Sequence, residues 1–72
     1  MDIEKIIAFN FKALRESEGL SVIEMAKELD VTRQTIYNIE GAKTLIQKPL
    51  LQSICKYFKI ESDYLFQKNH KK

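Results

Sequence analysis

The stretch Ser21–Gly41, SVIEMAKELDVTRQTIYNIEG, decides the fold of this 72-residue chain. Ser21 with Glu24 three residues on is a capping box: the hydroxyl serves an amide of the next turn, and the carboxylate reaches back to the amide of the cap. Met25, Ala26 and Leu29 then recur at three- and four-residue spacing, the inner face of a short helix. The pattern stops at Asp30-Val31, where aspartate tolerates a left-handed backbone better than most non-glycine residues. Thr32 is the next cap candidate. Ile36 and Ile39 lie three apart on the buried side of a second helix, and Gly41 is expected to end it. Two helices of about eight residues about a three-residue turn form a helix-turn-helix by spacing alone. Ala26 is small enough to let the two axes approach, and Val31 and Ile36 plug the core beneath the turn.

Outward from that centre the chain reads as all-α, with about five helices and no period-two segment long enough for a strand. Upstream, Ile3, Ile7, Phe11 and Leu14 mark one face of a helix over roughly residues 3–17, which Gly19 stops in the left-handed conformation. Leu20 is a buried link. Downstream, residues 42–48 form a loop, and Pro49 stands where a first helical turn accepts it. Leu51, Ile54, Cys55 and Phe58 point inward from the helix that follows. Ile60 packs at the next junction, and a short fifth helix carries Leu65 and Phe66. The expected organisation is one domain over residues 1–67 and a basic flexible tail over 68–72.

Composition narrows the function. The chain has 12 Lys+Arg against 10 Asp+Glu, 44% hydrophobic residues, one Cys and one His. It is one small domain, too short for a large sheet with a substrate domain. Cys55 alone excludes an internal disulfide, and with His70 it cannot build a zinc site, so neither a metal nor another cofactor is expected. Apolar runs are too short to span a bilayer, and Asp2 and Glu4 stand where a signal peptide is basic. The expected location is cytoplasmic, with no membrane partner and no evident small-molecule ligand. Glu24, Glu28 and Asp30 cluster in sequence, but no base, nucleophile or pocket accompanies them, so the chain is not expected to be an enzyme. Charge is uneven: residues 1–40 carry a net −3 and residues 41–72 a net +5. That asymmetry suits a polyanionic partner as well as it suits a solvated surface.

The outward positions of the second motif helix sharpen this choice. Arg33, Gln34 and Asn38 are among the side chains best suited to base edges, Arg to guanine and the two amides to adenine. Gln34 and Asn38 stand four apart, as do Arg33 and Tyr37, and no acid lies among them. Thr32 and Thr35 can offer hydroxyls to phosphates, as can the cap Ser21, beside positively polarised helix N-termini. The N-terminal half of such a helix fits a major groove about 12 Å wide. A surface helix with no such role would be filled mainly with Glu, Lys and Ala.

The residues Leu14-Arg15-Glu16, Gly19-Leu20-Ser21, Met25-Ala26, Leu29, Val31–Ile36 and Ile39-Glu40, with Ile54, Phe58, Ile60 and Asp63–Phe66, resemble the Cro/cI-type (XRE) helix-turn-helix regulators. The resemblance implies a compact five-helix, lambda-repressor-like DNA-binding domain. It also implies a homodimer that binds double-stranded DNA at a near-palindromic operator, commonly as a repressor. Carried over, Arg33, Gln34 and Asn38 match base-contacting positions with Tyr37 beside them. Thr32 and Thr35 match backbone-contacting positions, and Lys43 matches a basic residue that approaches phosphate. Arg15 and Glu40 match a structural ion pair between the first and third helices. The family's usual Gln after the second-helix cap is Val22 here, its turn glycine is Asp30, and its Asn-Gly-Lys after Glu40 is Gly41-Ala42-Lys43. With no separate oligomerisation segment in view, Tyr64, Leu65 and Phe66 are candidates for a dimer face, and monomer core is an equally good explanation for Leu65 and Phe66. Val22, the adjacent Ile23 and the missing phosphate-binding Gln support a second reading on the same scaffold, a protein-interaction module such as an antitoxin-like partner or adapter.

Overall fold

The first helix, α1 (Ile3–Ser17), carries an apolar stripe that is packed from two sides. Phe11 is fully buried and Ile7 and Ala8 nearly so, whereas Ile3, on the same stripe by spacing, is 41% exposed because the packing begins one turn further in. The computed structural model describes residues 3–67. The tail expected over 68–72 therefore lies outside the described residues. Four more helices follow: α2 (Val22–Leu29), α3 (Arg33–Glu40), α4 (Lys48–Phe58) and α5 (Ser62–Phe66). There is no strand among the described residues. The fold is all-α, five helices in a body of 28 × 24 × 20 Å.

The two motif helices start at side-chain caps. Glu24 N donates to Ser21 Oγ at 3.1 Å while Ser21 N donates to Glu24 Oε1 at 2.9 Å, so the capping box is complete. Thr35 N donates to Thr32 Oγ1 at 3.2 Å at the start of α3. Each cap serves an amide that the helix itself cannot satisfy.

The first four helices all end in one way. A residue with left-handed backbone follows each: Gly19 at φ 71°, Asp30 at 60°, Ala42 at 58° and Lys59 at 59°. The next amide then reaches back five positions, from Leu20 to Arg15 O, Val31 to Ala26 O, Lys43 to Asn38 O and Ile60 to Cys55 O, at 2.9 to 3.2 Å. This Schellman arrangement commonly seats an apolar side chain after the left-handed residue, and Leu20, Val31 and Ile60 do pack against the core. After α3 that residue is Lys43, which is exposed. Gly41 ends α3 as its C-cap, with φ −89°, and the left-handed residue is Ala42. Glycine has another use at 41: a Cβ there would lie 3.0 Å from the Tyr37 carbonyl oxygen.

Every helix contributes to one core. Phe11, Met25, Ile36, Ile39, Ile54 and Leu65 are each at most 1% exposed, and full burial of such a side chain contributes about 1.5–3 kcal/mol. Of the two readings of Leu65, dimer face with Tyr64 and Phe66 or monomer core, full burial selects the core. Phe66 is 40% exposed and Tyr64 half-buried. Val22 is half-buried against the core, and Ile23 is the exposed member of that pair. Cys55 is half-buried, and burial pushes its thiol above the usual cysteine range.

One polar side chain in this interior has no counterpart in the apolar pattern. Asn10, 2% exposed on α1, donates from Nδ2 to Leu65 O and Gln67 O at 2.8 Å and to Tyr64 O at 3.4 Å. It does for α5 what a left-handed stop does for the other helices, supplying donors for the last carbonyls from a neighbouring helix.

Candidate nucleic-acid interface

α3 is held by its inner edge against α1 and α2. Burial of Ile36 and Ile39 turns Arg33, Gln34 and Tyr37 outward, with Tyr37 53% exposed, and leaves Thr35 and Asn38 half-buried at the margin. The outer side is ordered by its own hydrogen bonds. Gln34 Nε2 donates to Asn38 Oδ1 at 3.0 Å, which joins the two amides one turn apart. Thr32 Oγ1 and Thr35 Oγ1 lie 3.0 Å apart, so one hydroxyl donates to the other and the pair retains one proton for an acceptor outside. Ser21 Oγ accepts from Glu24 N and likewise keeps its proton. The first turn of α3 contains no acid, so its amide end is not neutralised locally.

The other end of α3 is fixed by a forked ion pair. Arg15 Nε donates to Glu40 Oε2 at 2.6 Å and a terminal guanidinium nitrogen donates to Glu40 Oε1 at 3.1 Å. The other terminal nitrogen donates to Leu20 O at 2.7 Å. The two side chains are 11% and 10% exposed. The hydrogen bond to Glu40 raises the Arg15 guanidinium above its ordinary value, against a smaller lowering by burial. One side chain thereby joins the last turn of α1, the link into α2 and the last residue of α3. That contact sets the position of α3 relative to α1, which a bidentate geometry does better than a point charge.

Past α3, the loop of residues 41–47 places exposed Lys43 just beyond the helix. Between α3 and this loop runs an open groove of about 360 Å³ whose lining includes Asn38, Ile39, Leu45 and Leu50 and no charged side chain. Leu45, 49% exposed on its rim, did not figure among the expected site residues. Its signal in the sequence is an apolar side chain in a polar loop between Lys43 and Lys48. Arg33, Gln34, Tyr37 and Asn38 therefore share one helix, with Thr32 and Thr35 at its start and Lys43 after its end. Ser21 begins the preceding helix, and Tyr64 and Phe66 sit apart on α5. No helix among the described residues is long and apolar enough to cross a membrane. No group of three or more His, Cys, Asp or Glu among them could hold a metal ion.

The helix-turn-helix model HTH_3 matches residues 11–65 of the chain. Among solved structures, the fold is similar to that of a hypothetical transcription factor, NHTF, from Neisseria. That match has a TM-score of 0.82 at 18% identity and covers 92% of this chain and 76% of the other. It is also similar to an HTH_3 family transcriptional regulator from Vibrio cholerae, with a TM-score of 0.78 at 25% identity. There the alignment covers 89% of this chain and 36% of the Vibrio chain, so the likeness spans about a third of that longer protein. No curated protein matches the chain.

Proposed function

The chain belongs to the HTH_3 helix-turn-helix family, and from that membership we propose that it is a sequence-specific regulator of transcription that binds double-stranded DNA. In this reading a homodimer lays one α3 from each protomer into successive major-groove faces of a near-palindromic operator. It represses by occupying DNA that a polymerase needs, so its place of action is the cytoplasm. Residues 1–67 act as the single DNA-binding unit.

The observation that carries the reading is the outer side of α3. Arg33, Gln34, Tyr37 and Asn38 offer a guanidinium, two amides and a phenol with no acid among them, and the donor–acceptor pair Gln34–Asn38 is already oriented. Bidentate contacts from Arg to guanine and from Gln or Asn to adenine distinguish base pairs in the major groove. Around them, the hydroxyls of Ser21, Thr32 and Thr35 and the ammonium of Lys43 are assigned to phosphates, which fix register without carrying sequence. The alternative, a protein-interaction module, rested on Val22 and Ile23. Packing accounts for Val22 as an apolar side chain, which leaves the exposed Ile23 and the absence of the family's usual Gln at 22 as its support.

Selection of bound duplexes from a random DNA library at near-physiological salt tests the proposal. The expected result is an enriched two-fold-symmetric site with half-sites about 34–36 Å apart, one helical turn. A folded protein that enriches no sequence refutes it.

A further inference from the structure

The most exposed large apolar side chain among the described residues is neither on α3 nor on α5. It is Phe9, 69% exposed in the middle of α1. Lys5, Phe9, Lys12 and Glu16 recur at spacings of four, three and four, within about 60° of one another around the helix and roughly opposite its buried side. All four are exposed. Ala13, one turn after Phe9 and also exposed, leaves room for a second helix to come close.

The stripe is complementary to itself. The point midway between Phe9 and Lys12 is also midway between Lys5 and Glu16, which lie about 8 Å to either side of it at 1.5 Å rise per residue. A two-fold axis through that point sets a second α1 antiparallel to the first. Lys5 then faces Glu16 of the other copy, and Phe9 faces the other Lys12, each contact occurring twice as an isologous interface requires. Phe9 lies against a lysine stem with its ring face toward the ammonium, a favourable arrangement. Glu16 is available for this pairing: its side chain is 60% exposed and its contact with Arg15 is long, at 3.9 Å, while Arg15 is bound tightly to Glu40. Asn10, next to Phe9, holds the end of α5 on the adjacent flank of α1.

We propose that the α1 face centred on Phe9 is the surface through which two copies of this chain pair, antiparallel, with Lys5 against Glu16. A helix pair of about 22 Å buries area at the small end of specific interfaces, so the dimer is weak and forms in the micromolar range. The proposal concerns contact between copies, and the assignment of α3 to DNA can stand or fall without it.

Sedimentation equilibrium of the full chain across the micromolar range tests it, with circular dichroism and melting temperature as controls for folding. The wild-type chain should show a monomer–dimer equilibrium, and Phe9→Asp should weaken it by about tenfold or more. Lys5→Glu and Glu16→Lys should each weaken pairing several-fold by setting like charges opposite, and the double exchange should return it to within about twofold of wild type. A wild-type chain that stays monomeric overturns the proposal, as does pairing indifferent to Phe9→Asp. So does a double exchange in which the two single losses add.

Discussion

Gln34 and Asn38 are joined by a 3.0 Å hydrogen bond between their side-chain amides, an arrangement that orients both and also couples them. If each reads an adenine edge, Gln34→Ala or Asn38→Ala should cost about 1–3 kcal/mol of specific binding and leave the fold intact. Because removal of either already releases the other, the double variant should lose less than the sum of the singles in an operator titration. Glu40 is a different kind of residue. Its replacement by Ala leaves the nearly buried Arg15 with the Leu20 carbonyl and a long contact to Glu16. The expected cost is about 3 kcal/mol of folding stability, measured by urea unfolding, and DNA binding should fall only through loss of folded protein. The Arg15 end of this pair does not titrate in ordinary buffers. A guanidinium raised above its ordinary value keeps its contribution below the unfolded value and loses it only as pH climbs through the still higher folded one. At this scale the side-chain types along α3 could be read from their four-residue spacing. Asn10 could not, because a polar residue inside an apolar stripe gives no sign of the carbonyls it will meet 54 to 57 positions away.

Each of the first four helices is stopped by a left-handed residue, yet only at Gly19 is that residue glycine. Ala42 has no side-chain atom that could compensate for the crowding of its Cβ in that conformation. Ala42→Gly should therefore stabilise the domain by about 0.5–1 kcal/mol. For a chain of this size that raises the melting temperature by about 2–8 °C. An unchanged or lower midpoint would show that the left-handed backbone at 42 costs nothing. α5 depends instead on α1. Asn10→Ala removes the donors to Leu65, Gln67 and Tyr64 carbonyls and should cost about 1–3 kcal/mol. Amide exchange should speed up in α5 before it does in α2 or α3. α2 and α3 were legible in their capping residues and the other elements in apolar spacing, with α4 starting at Lys48, one residue before the expected Pro49. α3 ends at Gly41 as its glycine led one to expect, but glycine at 41 answers a close approach to the Tyr37 carbonyl, and the positive φ falls on Ala42.

For the molecule as a whole, charge is divided unevenly along the chain. The net −3 of residues 1–40 and net +5 of residues 41–72 meet where α3 ends and Lys43 begins the basic part. If Lys43 neutralises one phosphate, Lys43→Ala should weaken binding to all sequences alike. The slope of log affinity against log salt should also fall by about one. A loss confined to the operator would instead place Lys43 in base reading. The sequence by itself determined the helices, the caps of α2 and α3 and the helix-turn-helix, because these depend on neighbours within four residues or so. It also determined which residue types face outward from α3. Only the tertiary structure decided that Leu65 belongs to the core and Phe9 to the surface, and that Asn10 closes α5. Periodicity says which side of a helix is apolar, but burial depends on which other helix lies against that side.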